Sequence, residues 1–208
     1  MILIGQYDSP FVRRVGIAMT LYGLPFEHRP WSTFGDADKI RPYNPLTRVP
    51  TLVLDDGDVL IESHVIIDYL DSLVPAEQAM FARAEPARHR ELKVAALATG
   101  LSDKAVSLFY EQRLHTEISA AWVERCRAQI GGVLAVLEAD RAARGGGFWF
   151  GDRIGHADIA VAAMLRHLNE SQPGLADMAR FPALAAHSER LEAMPAFRAV
   201  YQPFIAPA

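Results

Sequence analysis

The chain has 208 residues, a mass of 23.0 kDa and a formal charge of −4, with 50% hydrophobic and 22% charged residues. That is enough apolar material for one large domain or two small ones, and it excludes global disorder. The acidic balance argues against a protein that wraps nucleic acid non-specifically. No apolar run approaches the ~20 residues of a membrane-spanning helix, and MILIGQYDSP lacks the basic start of a signal peptide. A single cysteine, Cys126, leaves no route to an intrachain disulfide, a cysteine metal cage or a CxxC pair. The expected compartment is the cytoplasm.

In chain order, the apolar residues 1–5 predict a buried strand. Ser9-Pro10 has the form of a helix start, serine as N-cap and proline at the first helical position. Phe11, Val15, Ala18, Met19 and Tyr22 then mark one face of an amphipathic helix, closed by Gly23. Residues 26–29 read as a second strand and 32–42 as a loop with a short helix. In Asn44-Pro45-Leu46-Thr47-Arg48-Val49-Pro50 two prolines block a regular helix. The β-rich runs 51–54 and 59–61 flank Asp55-Asp56-Gly57-Asp58, a hairpin signal. Ser63 is expected to cap a helix carrying Val65, Ile66, Tyr69, Leu70 and Leu73. The order β-α-β-(α)-β-β-α implies a sheet that is antiparallel at least in part.

Beyond residue 74 the pattern changes. A proline-bounded stretch, 75–86, reads as a linker, and the remainder is helical throughout: 87–115, 117–144, 157–170 and two short helices within 182–202. Trp122, Cys126, Ile130, Val133, Leu134 and Leu137 form an apolar stripe, so Cys126 is read as buried and inert. Charge divides with the pattern. Residues 1–74 hold 6 Lys/Arg and 10 Asp/Glu, and 75–208 hold 15 of each. The expected domains are 1–74 and 87–208.

No nucleotide loop, nucleophile elbow or zinc motif occurs, and the seven histidines lack ligand spacing. Three places carry chemistry. Ser9 puts a hydroxyl where helix N–H groups point outward, a setting that favours an anion. A cis Val49-Pro50 bond turns the Val49 N–H and C=O outward, ready to pair with an extended peptide. Glu62-Ser63 places a carboxylate and a hydroxyl at a helix start, a grip for the ammonium and carboxylate of an amino acid. Each also has a plain structural reading, as a cap or a strand-opening proline.

SPFVRR, NPLTRVPTL, IESHVIIDYL and, in the helical half, GDRIGHADIAVA together resemble the cytosolic glutathione transferases over essentially the whole chain, most of all the serine-type members. The resemblance implies a thioredoxin-like N-terminal domain that holds glutathione and an all-α domain that completes the site for a small hydrophobic electrophile. It implies that Ser9 hydrogen-bonds the glutathione sulfur, Val49 pairs with the cysteinyl backbone, and Glu62 and Ser63 hold the γ-glutamyl end. Arg48, with Lys39 as the weaker candidate, meets the glycyl carboxylate. It further implies a homodimer, with glutathione as co-substrate and no metal, nucleic-acid or membrane partner. Tyr7 is the rival to Ser9, at a spacing from Pro10 that does not match the tyrosine-type pattern. Ser107, Leu108 and Phe109 are candidates for substrate choice. Three other readings stay open: a glutathione-dependent isomerase or dehalogenase, a regulatory binding protein, and a glutaredoxin-like exchanger weakened by serine in place of cysteine. In GDRIGHAD the helix cap is Gly155 and Asp158 is retained, so Asp158→Ala is expected to cost ~1 kcal/mol.

Overall fold

The structure is a computed structural model that describes residues 1–206. By their contacts these residues fall into two units, one of Met1–Arg83 with the segment that begins at Met194, the other Ala84–Ala193.

In the first unit, strands β1 (Ile2–Ile4), β2 (Glu27–Arg29), β3 (Thr51–Val53) and β4 (Val59–Ile61) form a sheet in the order β2-β1-β3-β4. β1 pairs parallel with β2, while β1–β3 and β3–β4 are antiparallel, with Leu3 opposite His28 and Leu52. Gly57, at φ 90°, supplies the left-handed turn of the β3–β4 hairpin. Helices α1 (Pro10–Leu21), α2 (Ala37–Ile40) and α3 (Ser63–Ser72) complete a thioredoxin-like βαβαββα domain. Leu3, Ile4, Val12, Val15, Ile17, Ala18, Met19, Leu52, Ile66, Ile67 and Leu70 are fully buried or nearly so.

Two expectations fail here. α1 is not half-exposed: Pro10 and every residue from Val12 to Met19 are buried, including Arg13 and Arg14. The helix packs on β1, on α3 and on a short C-terminal helix, α8 (Pro195–Ala199), so nearly its whole circumference is covered. Ser63 does not cap α3. It is the first helical residue, and Glu62 occupies the cap position with φ 66° and no side-chain capping bond.

The observed grouping also departs from the expected domain bounds. Asp71 accepts hydrogen bonds from the backbone N–H of Phe81 (3.1 Å) and from the Tyr22 hydroxyl, and Arg83 donates to the Val74 carbonyl at 3.2 Å. These bonds fold 75–83 onto the first unit. The segment from Met194 belongs there too, because the buried Arg13 sends Nε to the Val200 carbonyl (2.9 Å) and Nη2 to that of Phe197 (3.2 Å).

The second unit is all helix: α4 (Ala87–Leu114), α5 (Ala120–Ala142), α6 (His156–Ser171), a 3-10 turn at Met178–Arg180 and α7 (Pro182–Glu192). α6 packs on α4 and α7, and α5 packs on the same two. Cys126 is buried with Ile130, Leu134 and Leu137 as its stripe requires, and burial pushes its thiol pKa up. Asp158, 1% exposed, accepts from the N–H groups of Gly155 (2.8 Å) and Trp149 (2.7 Å) and lies 3.0 Å from His187 Nε2. Gly155 has no side chain, so only the carboxylate half of a capping box exists. No helix among the described residues is long and apolar enough to cross a membrane.

Candidate functional site

β1 ends at Ile4, and Gly5 turns the chain with φ 129°. A Cβ on Gly5 would lie 2.5 Å from Val12 Cγ2 and 2.7 Å from Val49 Cβ, so glycine alone lets the first turn of α1 and the Val49 loop close on this point. Ser9 follows with extended dihedrals (φ −69°, ψ 124°), and its Oγ accepts the Val12 N–H at 3.4 Å. That bond is long, and among the described residues the hydroxyl donates to nothing. A half-buried hydroxyl with its proton uncommitted thus stands at the N-terminus of a 12-residue helix.

Tyr7 is occupied differently. Its ring stacks on His28 with centroids 3.8 Å apart and planes 8° from parallel, and a Cβ on Gly16 would come within 2.8 Å of it. Burial pushes the phenol pKa up to about 12.

The second component is the loop before β3. The Val49–Pro50 bond is cis. Buried Asn44 shapes the loop, donating from Nδ2 to the Arg48 carbonyl (2.9 Å) and Thr51 Oγ1 (3.1 Å) and accepting the Leu46 N–H at Oδ1 (3.0 Å). Val49 lies outside β3, and among the described residues neither its N–H nor its C=O has a partner. A peptide edge with nothing to pair with is an invitation to an extended ligand.

The third component is the start of α3. Glu62 is in a backbone region that non-glycine residues rarely occupy, a strain on the order of 1–3 kcal/mol that clusters at ligand sites. Its first turn is anchored by the bond from Ile66 N to the Glu62 carbonyl at 3.0 Å, so the amides before Ile66 face the helix mouth. Ser63 Oγ accepts from Arg14 Nη1 at 3.4 Å. Arg14 is 1% exposed, and its Nε and Nη2 have no partner, so burial drags its pKa down to about 10. A buried guanidinium so poorly satisfied is costly to the fold. Its positive field also helps to lower the pKa of His64, after burial, which is the larger cause. Arg48 Nη1 reaches Glu62 Oε1 at 3.1 Å, but at 57% and 46% exposure this pair adds little stability.

These contacts close a ring. Ser9 caps α1, which carries Val12; Val12 meets Val49 at Gly5; Arg48, next to Val49, meets Glu62; and Ser63, next to Glu62, meets Arg14 back on α1. Ser9, Arg48, Val49, Glu62 and Ser63 are all in the ring or one residue from it. Lys39 is not: its ammonium is held by Asp36 at 2.7 Å and stands 6.0 Å from the Trp31 ring centre. Asn44 and Arg14 were missed. Arg14 left one trace in the sequence, since it follows Pro10 by four residues and precedes Ala18 by four, both buried positions of α1. Around the rim the ring offers a hydroxyl donor, an idle peptide edge, a carboxylate and a cation-backed helix mouth. That set fits a short peptide carrying an anionic group, an extended backbone and an amino-acid head group. Among the described residues no group of three or more His, Cys, Asp or Glu is placed to hold a metal ion.

The family model for the glutathione S-transferase N-terminal domain matches residues 3–78, and that for the C-terminal domain matches 120–190. The uncharacterized GST-like protein YibF of Escherichia coli K12 is 32% identical over 170 residues, covering 81% of this chain and 82% of that protein. Maleylacetoacetate isomerase of Pseudomonas aeruginosa is 32% identical over 175 residues, covering 79% and 80%. Among solved structures, a glutathione S-transferase of Methylobacterium radiotolerans in complex with glutathione sulfonate superposes with a TM-score of 0.90 at 32% identity, covering 100% of this chain and 98% of that one.

Proposed function

This chain belongs to the glutathione S-transferase family, and on that premise we propose that it binds glutathione in the ring just described and transfers it to a small hydrophobic electrophile. The observation that carries the reading is the ring itself, which gathers around one rim a group suited to each part of the tripeptide. Val49 pairs its idle N–H and C=O with the cysteinyl backbone. Ser63 and the mouth of α3 take the γ-glutamyl carboxylate, with Arg14 behind them, and Glu62 takes the ammonium. Arg48 meets the glycyl carboxylate. Glutathione sulfonate in the Methylobacterium relative supports this choice of ligand.

Ser9 supplies the chemistry, in a reading of the serine type. A free thiol has a pKa of ~8.5, so only a few per cent is thiolate at pH 7. A hydrogen bond donated by the hydroxyl to sulfur, together with the N-terminus of α1, favours the anion, and a fall of ~2 units makes thiolate the major form. The thiolate then attacks the electrophile. Ser9 is a hydrogen-bond donor and not a nucleophile, so no base is needed to activate it.

Ser9→Ala tests the assignment. Bound glutathione should titrate at higher pH, with turnover near neutrality reduced roughly ten- to hundredfold, the worth of one hydrogen bond to a charged group. The loss should shrink at high pH, where the thiol ionises unaided, and Tyr7→Phe should do little. The measurement is thiolate absorbance against pH in the glutathione complex. A titration moved by Tyr7→Phe and not by Ser9→Ala would transfer the role to Tyr7.

The named activity of the Pseudomonas relative favours a second reading, glutathione-dependent isomerisation on the same site. A panel of conjugation, dehalogenation and isomerisation substrates assayed with glutathione separates these reactions. Glutathione binding with no turnover on any of them would mark a regulatory binding protein instead. The working form in this proposal is a homodimer, and a monomeric mass by light scattering at micromolar concentration would count against it.

A further inference from the structure

The segment after α8 runs back to the loop that carries Ser9. Gln202 Oε1 accepts the backbone N–H of Tyr7 at 3.2 Å, and the backbone N–H of Ile205 donates to Asp8 Oδ2 at 3.1 Å. Tyr7 and Asp8 are the two residues immediately before Ser9. Nearer α8, the Val200 carbonyl takes Arg13 Nε, and a Cβ on Gly16 would meet Val200 Cγ1 at 2.9 Å and the Tyr7 ring at 2.8 Å. Glycine at position 16 therefore lets the tail and Tyr7 reach the backbone of α1 together.

The loop is fixed at its two ends. Gly5 is bound to the sheet by its N–H to the Arg29 carbonyl at 2.9 Å, and Ser9 is bound to α1 by its carbonyl, which accepts the Arg13 N–H at 2.9 Å. Between these points the bonds to Tyr7 N and Asp8 Oδ2 come from the far end of the chain. A tail that served only to cover apolar surface would set Phe197 and Val200 into the core, as this one does, and could stop there. Gln202 and Ile205 instead commit polar groups to the loop.

We infer that the 202–205 segment is a strap that positions the Ser9 hydroxyl, with Gln202 and the Ile205 N–H acting as positioning groups through Tyr7 and Asp8. The inference rests on the reading of Ser9 given above. Hydrogen-bond strength falls steeply with angle and distance, so a small drift of the loop weakens the bond to sulfur while the rest of glutathione stays held by Val49, Glu62 and Ser63.

The test uses the full-length protein with Gln202→Met, which removes the acceptor at similar size, and Ile205→Pro, which removes the donor, beside Ser9→Ala. Thiolate absorbance is titrated against pH in each glutathione complex, and glutathione affinity is measured by calorimetry. The strap predicts that each tail variant raises the thiol titration midpoint by about half a unit or more, roughly a threefold fall in the thiolate-to-thiol ratio, with affinity held within about twofold. Tail variants that titrate like the wild type while Ser9→Ala shifts overturn the strap and leave the Ser9 assignment standing. If Ser9→Ala does not shift either, both readings fall. Loss of glutathione binding in Gln202→Met also overturns it, because the tail would then be holding the ligand or the fold.

Discussion

Helix α3 starts behind Glu62, at φ 66° and with no capping side chain, whereas α6 starts behind Gly155 and is closed by Asp158 three residues in. The charged groups beneath the two starts differ in the same sense. Asp158 has its oxygens engaged by Gly155 N and Trp149 N, with His187 Nε2 3.0 Å away, while Arg14 under α3 has two of its three nitrogens idle. The Asp158 carboxylate closes one helix mouth from within, and no side chain caps the other. Orphaned buried atoms are not confined to α3, since Ser171 Oγ and Gln172 Nε2 at the far end of α6 also lack partners, so the positive φ at Glu62 is what sets the α3 start apart.

The sharpest way to break this contrast is at α6. Asp158→Ala should lower stability by about 3–5 kcal/mol, since two bonds to a buried carboxylate go and the Trp149 N–H is left without its acceptor. That exceeds the ~1 kcal/mol expected for a lost cap alone. Denaturant unfolding measures it, and a midpoint unchanged from wild type would mean that the network contributes nothing. At α3 the corresponding deletion should behave in reverse. Arg14→Met should leave the thermal midpoint of the ligand-free protein level or higher, because an unpaired buried charge is exchanged for an apolar chain. Glutathione affinity should fall about tenfold, or ~1.4 kcal/mol. A large drop in midpoint would make Arg14 a fold residue like Asp158.

A smaller effect is expected at Glu62. Glu62→Gly relieves the positive φ, so the ligand-free protein should gain about 1 kcal/mol while binding glutathione less well. Equal or lower stability would show that the conformation carries no strain. The smallest effect concerns pH. Burial holds the His28 and His64 pKa values below the ordinary histidine value, with Arg14 adding to the shift at His64. Below ~6.5 the unfolded chain takes up protons that these folded rings refuse, so stability should fall as pH drops through that window and level off above it. His64→Gln should flatten the slope, and an unaltered slope would remove His64 from the account.

Legibility in the sequence tracks the range of the forces involved. Ser9-Pro10, the Asp-Gly hairpin and the Cys126 stripe are local patterns, and each appears as read. Ser63 has the look of a cap because serine usually is one. The backbone reversal at Glu62, visible only once β4 and α3 are docked, moves the helix start by one residue. Arg14 is hidden because an arginine in a helix is ordinarily solvated, and only the covering of α1 on nearly all sides makes it costly. The return of residues 194–206 to the first unit depends on contacts spanning most of the chain, for which no short pattern exists. Among the proposed ligand contacts, Ser9, Arg48, Val49 and Glu62 are at least partly exposed, whereas Ser63 and the Arg14 that donates to it are buried, and Arg14 emerges only from packing.

Gly5 gives the site its gauge. Val12 and Val49 both approach it so closely that one methyl group has no room. The spacing between the first turn of α1 and the Val49 loop is therefore set by an atom that is absent. Every larger residue would widen that gap and shift both segments at once, whereas the exposed side chains of Arg48 and Glu62 can change one at a time.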